Sequence, residues 1–66
     1  MIKIIVGAYY DMGNGNFPIK KVTEILFGGM VKVDLYTRSG RYSGIDYWWI
    51  SAFRKHIKQR VKPKRV

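Results

Sequence analysis

Between Met30 and Ile50 the chain reads MVKVDLYTRSGRYSGIDYWWI, and the period of this stretch decides most of what the protein can become. Val31, Val33 and Leu35 alternate with Lys32, Asp34 and Tyr36, the pattern of a strand buried on one side only. Arg38-Ser39-Gly40-Arg41 supplies a turn, with Gly40 free to adopt positive φ. Tyr42 to Ile50 is then the return arm of a β-hairpin. A plain two-residue turn sets Val33 against Asp46 and buries a carboxylate without a partner, which is costly. A three-residue turn or a bulge moves the register by one. The expected pairs are therefore Leu35 with Ile45, Val33 with Tyr47 and Val31 with Trp49. In that register Trp49 belongs to the core and Trp48 points outward.

The opposite face of the same hairpin carries Lys32, Asp34, Tyr36, Arg38, Tyr42, Asp46 and Trp48. Basic and aromatic side chains interleave there on a rigid support. Such a surface suits nucleic acid, with cations on phosphate and rings on bases or sugars. Arg41, in the turn, joins the same expected surface.

Sixty-six residues make one domain with a small core. Without cysteine, neither a disulfide nor a thiolate metal site can staple it. Ten aromatic residues (two Trp, five Tyr, three Phe) must supply much of the buried area. No stretch is long and apolar enough to span a membrane, and Met1 to Val6 is too short for a signal peptide, so a cytoplasmic protein is expected.

Thirteen basic residues against four acidic ones give a net charge of +9, unevenly placed. Residues 1–53 hold six basic and four acidic side chains, whereas residues 54–66 hold seven basic and no acidic ones. Arg54, Lys55, Lys58, Arg60, Lys62, Lys64 and Arg65 form this basic end. A chain so charged associates with polyanions.

Ile2 to Tyr10 is a β-rich apolar run and an expected first strand, with Gly7 marking a bend. Asp11 to Asn16 is a loop by its Gly and Asn content. Its Gly13-x-Gly15 pair lacks the third glycine and the helix start of a dinucleotide fingerprint. Phe17 to Gly29 reads two ways. Ile19, Val22, Ile25 and Leu26 sit at helical spacing, yet Val22, Thr23, Ile25 and Phe27 favour strand, and Gly28-Gly29 makes a hairpin turn. The helical version is an α+β protein of order β-α-β-β-α. The strand version is a mainly β, five-stranded small barrel. Ser51 to His56 is then a short helical turn and Ile57 to Val61 a last strand. Residues 1–61 form the domain and 62–66 a basic flexible tail, with Pro63 preventing helix beyond Lys62.

Phe17-Pro18, Val22-Thr23-Glu24-Ile25-Leu26, Val31-Lys32-Val33-Asp34-Leu35 and Trp49-Ile50-Ser51-Ala52-Phe53-Arg54-Lys55 together resemble the SH3-like barrels that end many retroelement integrases. Those share a Pro-aromatic opening, V-x-E-[VI]-L, Y-x-[VL]-D-L and F-H-V-S-x-L-K-P. The likeness covers roughly residues 17–57 and departs in the doubled Trp and the basic tail. It implies a five-stranded barrel that binds DNA. Ala8-Tyr9-Tyr10-Asp11-Met12 and Trp48-Trp49 are similar to the A-L-Y-D-Y opening and paired Trp of peptide-binding SH3 domains, although the acidic loop of those domains is absent. Ile19-Lys20-Lys21-Val22 with Met30 looks like small archaeal chromatin proteins. All three likenesses imply one fold and different ligands.

Catalytic chemistry has little to stand on. Asp11, Glu24, Asp34 and Asp46 form no acid–base motif, His56 is the only histidine, and no cluster has metal-ligand spacing. The expectation is a non-enzyme without cofactor, metal or small-molecule substrate, and not a membrane protein. It binds nucleic acid, duplex DNA in preference to RNA, through backbone contacts. Its surface is Lys32, Tyr36, Arg38, Arg41, Tyr42 and Trp48, extended by the basic end. The second reading is a phage- or plasmid-encoded inhibitor that docks on an acidic host protein in the host cytoplasm. Exposed Trp, Tyr and Arg are also the residues of protein hot spots.

Overall fold

The computed structural model describes residues 3–62. Five antiparallel strands and one short helix follow in the order β1 (Tyr9–Asp11), β2 (Ile19–Leu26), β3 (Met30–Tyr36), β4 (Tyr42–Trp49), α1 (Ile50–His56) and β5 (Gln59–Val61). They form a single sheet of order β4-β3-β2-β1-β5. The architecture is mainly β, and the strand reading of residues 19–26 holds over the helical one. The sheet is open rather than closed into a barrel, since β4 and β5 are its two edges.

β2, β3 and β4 make a meander. Gly28 and Gly29, both at positive φ (92° and 88°), turn β2 into β3, a backbone state that glycine adopts without a Cβ clash. A bulge at Thr23 shifts the β2–β3 register, and the Thr23 hydroxyl donates to the Lys32 carbonyl at 3.1 Å. Val22 pairs with Val33, and both are fully buried.

The register of the β3–β4 hairpin differs from the expected one. Tyr36 pairs with Tyr42 across a connection closed by the Thr37 N–H to the Arg41 carbonyl (2.9 Å). A bulge next to this pair then sets Leu35 opposite Gly44, Val33 opposite Asp46 and Val31 opposite Trp48. The bulge anticipated from the sequence is therefore present, but it restores the plain pairing instead of displacing it. Asp46 escapes the anticipated penalty because β4 is an edge strand: a core-side register position there still reaches solvent, and Asp46 is exposed. Trp48 consequently packs against the core and Trp49 stands 60% exposed, the reverse of the expectation.

The amino-terminal strand is also shorter than expected. Ile2 lies outside the described residues, and residues 3–8 run beside the sheet rather than within a strand. Gly7, at φ 92°, turns the chain, and its N–H donates to the Val22 carbonyl at 2.7 Å. The fully buried Tyr10 pins this segment: its hydroxyl accepts from the Ile5 N–H (3.0 Å) and donates to the Lys3 carbonyl (2.7 Å). The core beneath the sheet gathers Ile4, Ala8, Tyr10, Met12, Val22 and Val31 with Val33, Phe53 and Ile57. Phe53, the one buried residue of α1, meets Tyr10 and Trp48 edge-to-face at 5.8 and 5.9 Å, within the favourable range for aromatic pairs. The last strand begins at Gln59, because Ile57 is spent on the core and the Lys58 N–H donates to the Asp11 carbonyl at 2.8 Å.

Candidate functional site

The face of the sheet turned away from this core carries a row of rings. Strict alternation puts Tyr9 of β1, Lys21 and Ile19 of β2, Lys32, Asp34 and Tyr36 of β3, and Ile45 and Tyr47 of β4 on that side. Tyr9 and Tyr36 approach to 5.7 Å between ring centroids, and Tyr36 and Tyr42 to 5.7 Å. The Lys21 ammonium sits over the Tyr9 ring at 5.6 Å, a cation–π geometry. Tyr42 at one end of the row is exposed, while Tyr36 in the middle is half-buried. Burial, with Tyr9 and Asp34 nearby, raises the Tyr36 phenol above its ordinary value, so it remains a neutral donor at physiological pH.

Beside the row lies a cavity of about 340 Å³, lined by Tyr9, Asp11, Tyr36, Arg38, Gln59 and Lys62 among others. Its ionic anchor is a two-pronged pair. Arg38 Nη1 donates to Asp11 Oδ2 at 2.8 Å and Nη2 to Oδ1 at 3.3 Å. The Gly13 N–H adds a third bond to Oδ1 at 2.8 Å. The Arg38 hydrogen bond, against the opposing effect of burial, holds the Asp11 carboxyl below its ordinary range. Arg38 is itself mostly exposed, so its charge is half committed to the fold and half presented at the surface.

Of the residues singled out from the sequence, Tyr36, Tyr42, Arg38 and Lys62 come together at this row and cavity. Lys32 shares the face further along β3, opposite Tyr47 and Glu24, and Arg41 lies exposed in the β3–β4 connection. Trp48, Lys55 and Lys58 meet elsewhere, at the core side of the sheet beside the end of α1. Arg54 is half-buried on α1, and Arg60 shares the register position of Tyr10, away from the ring row. Lys64 and Arg65 lie outside the described residues. Tyr9, Lys21 and Asp11 were missed as site residues. Tyr9 falls in an apolar run that reads as plain strand, and only the pairing of β1 with β2 reveals its neighbours.

Among the described residues no three His, Asp or Glu side chains gather to hold a metal ion, and no helix is long and apolar enough to cross a membrane. No protein-family model, curated protein or solved structure matches the chain. The likeness to integrase barrels thus rests on the quoted residues alone.

Proposed function

We propose that the protein is a small nucleic-acid-binding module whose ligand lies across the outer face of the sheet. The observation that carries this reading is the continuous row Tyr9–Tyr36–Tyr42, topped by Lys21 and bordered by Arg38 and Lys62, in a chain of net charge +9. Cations on the rim neutralise phosphates and fix register, while exposed ring faces take bases. The ring centroids stand 5.7 Å apart, too close to admit a base between them at normal stacking distances. Bases therefore lie on the outward faces, above all on Tyr42. Backbone contact with duplex DNA, the form expected from charge alone, uses the same rim.

Anisotropy of labelled single- and double-stranded DNA, followed across a salt series, tests the proposal. Binding should weaken linearly in log–log form, by about 0.9 per duplex phosphate contacted and about 0.7 per single-strand phosphate. Tyr42→Ala should weaken single-strand binding by roughly 5- to 100-fold, the equivalent of one lost stack. Binding that is absent, or indifferent to Tyr42→Ala and Lys21→Glu together, overturns it.

A second reading has its own observation. Ile45, Tyr47 and Trp49 are all exposed on edge strand β4, and Phe27 stands out at the nearby β2–β3 turn. An exposed aromatic edge of this kind suits a protein partner, as an inhibitor of an acidic host protein requires. Retention of one partner protein from nuclease-treated lysate by the wild type, lost in Trp49→Ala, favours this reading.

A further inference from the structure

On the core side of the sheet, away from the tyrosine row, a second cavity of about 380 Å³ opens between the 13–16 loop and the end of α1. Lys20, Lys55, His56 and Lys58 line it, together with Asn14 and Trp48. Lys20 is the unusual member. It is a buried lysine whose ammonium makes one hydrogen bond, to the Phe17 carbonyl at 2.6 Å, and lies 5.8 Å from the centre of the Trp48 ring. Among the described residues no carboxylate approaches it within ion-pair distance. Burial lowers its basicity, and only the more distant Asp46 pulls the other way. Folding thus strips water from a cation and leaves it, among the described residues, without a carboxylate in direct contact, an arrangement that natural cores avoid unless something else supplies a counter-charge.

Two further features belong to the same lining. The indole Nε1–H of Trp48 is buried with no acceptor among the described residues, and buried donors are rarely left so. Lys58 is held in position by its surroundings: its backbone N–H donates to the Asp11 carbonyl at 2.8 Å, and its side-chain stem lies across Gly13. A Cβ on Gly13 would stand 2.7 Å from Lys58 Cγ, so only glycine permits that approach. The lining is therefore cationic, partly desolvated and partly preorganised. The opposing charge, Asp46, is solvent-exposed and correspondingly screened.

We propose that this cavity is a phosphate-binding site, with Lys20 as its buried cation and Lys55, His56 and Lys58 as its outer donors. The ligand is a phosphate group, either free inorganic phosphate or one carried by a nucleotide chain. Three ammonium groups and an imidazole around one cavity match a multiply charged tetrahedral oxyanion better than a carboxylate or chloride. The site is independent of the tyrosine row, and each proposal can fail without the other.

The test uses the full chain carrying Trp49→Phe, which leaves Trp48 as the sole indole. Inorganic phosphate is titrated at constant ionic strength, with chloride as the balancing anion, while the Trp48 indole N–H resonance and fluorescence are followed. The expected result is a saturable shift, weakened about tenfold or more by Lys20→Met and by Lys58→Met. Lys58 is exposed, so its variant keeps the fold. Phosphate should also raise the melting temperature of the parent and not that of Lys20→Met. Oligothymidylate with and without a 5′-phosphate identifies the source. Tighter binding of the phosphorylated form assigns a terminal phosphate, equal binding that Lys20→Met weakens a backbone phosphate, and a response to inorganic phosphate alone the free ion. A shift that never saturates, or that persists unchanged in both lysine variants, overturns the proposal.

Discussion

Arg38 and Asp11, 27 positions apart, bind each other through both terminal guanidinium nitrogens and both carboxylate oxygens, at 2.8 and 3.3 Å. The pair ties the β3–β4 connection to the end of β1, two segments that are not neighbours in the sheet. Planar two-point geometry makes it directional, a property that lysine at position 38 would not reproduce.

The pair gives stability a defined acid limb. The Asp11 carboxyl is held below its ordinary value of 3.8 in the fold, so the unfolded chain takes up the proton first as pH falls. The stabilisation is complete above about pH 4 and is lost as acid carries the folded carboxyl through its lower value. Arg38→Ala should destabilise the protein most near neutrality, and the gap from wild type should close in acid. Urea melts of both proteins across that range check this.

Lys20 predicts the opposite kind of variant, a stabilising one. In phosphate-free buffer at neutral pH, Lys20→Met should gain about 1 kcal/mol, because it replaces a desolvated charge, opposed only by the screened Asp46, with an apolar chain of similar length. The folded lysine loses its proton before the unfolded one, so wild-type stability rises with pH towards 10.5 and the advantage of the variant shrinks. Chemical denaturation at neutral and alkaline pH measures both effects.

The adjacent tryptophans should respond in opposite ways. Trp48 packs on Phe53 and the core, and Trp48→Ala should cost about 3 kcal/mol. Trp49 is exposed on edge strand β4, and Trp49→Ala should stay within about 1 kcal/mol of wild type. Equilibrium unfolding followed by far-ultraviolet circular dichroism distinguishes the two without relying on indole fluorescence.

Gly13→Ala should lower stability by about 1 kcal/mol or more. The residue sits at φ 89°, and an added methyl meets the Lys58 stem. The same substitution should move the Lys58 resonances, which a two-dimensional NMR spectrum reports directly.

Much of the fold was legible because one side of the sheet must be apolar. The alternation of Val31, Val33 and Leu35 locates β3, and Gly28-Gly29 with Gly40 locate both ends of it. The short helix before the last strand follows from Phe53 and Ile57, which both reach the core. The register of β4 was not legible by the same logic. The objection to burying Asp46 assumed a strand covered on that side, and an edge strand is not. One wrong premise about coverage thus inverted Trp48 and Trp49 together, since period two leaves no intermediate answer. The tyrosine row was half legible: Tyr36 and Tyr42 share the hairpin, whereas Tyr9 arrives from a strand that pairs with neither arm. Lys20 was invisible, because in the sequence it is one of two successive lysines and only the packing under Trp48 makes it different.

The strand order also divides the molecule in time. β2, β3 and β4 pair with sequence neighbours, whereas β5 must travel back past them to reach β1. Local contacts form early and distant ones late, so the meander is the natural nucleus and the β1–β5 seam its last stitch. That seam is three residues long on each side. It should be the first part of the sheet to exchange its amide protons, and Tyr9, Gln59 and Val61 border the cavity beside it. A ligand seated there would clamp the least durable joint of the fold, so occupancy should be readable as slowed exchange confined to Tyr9–Asp11 and Gln59–Val61, a local clock set by binding.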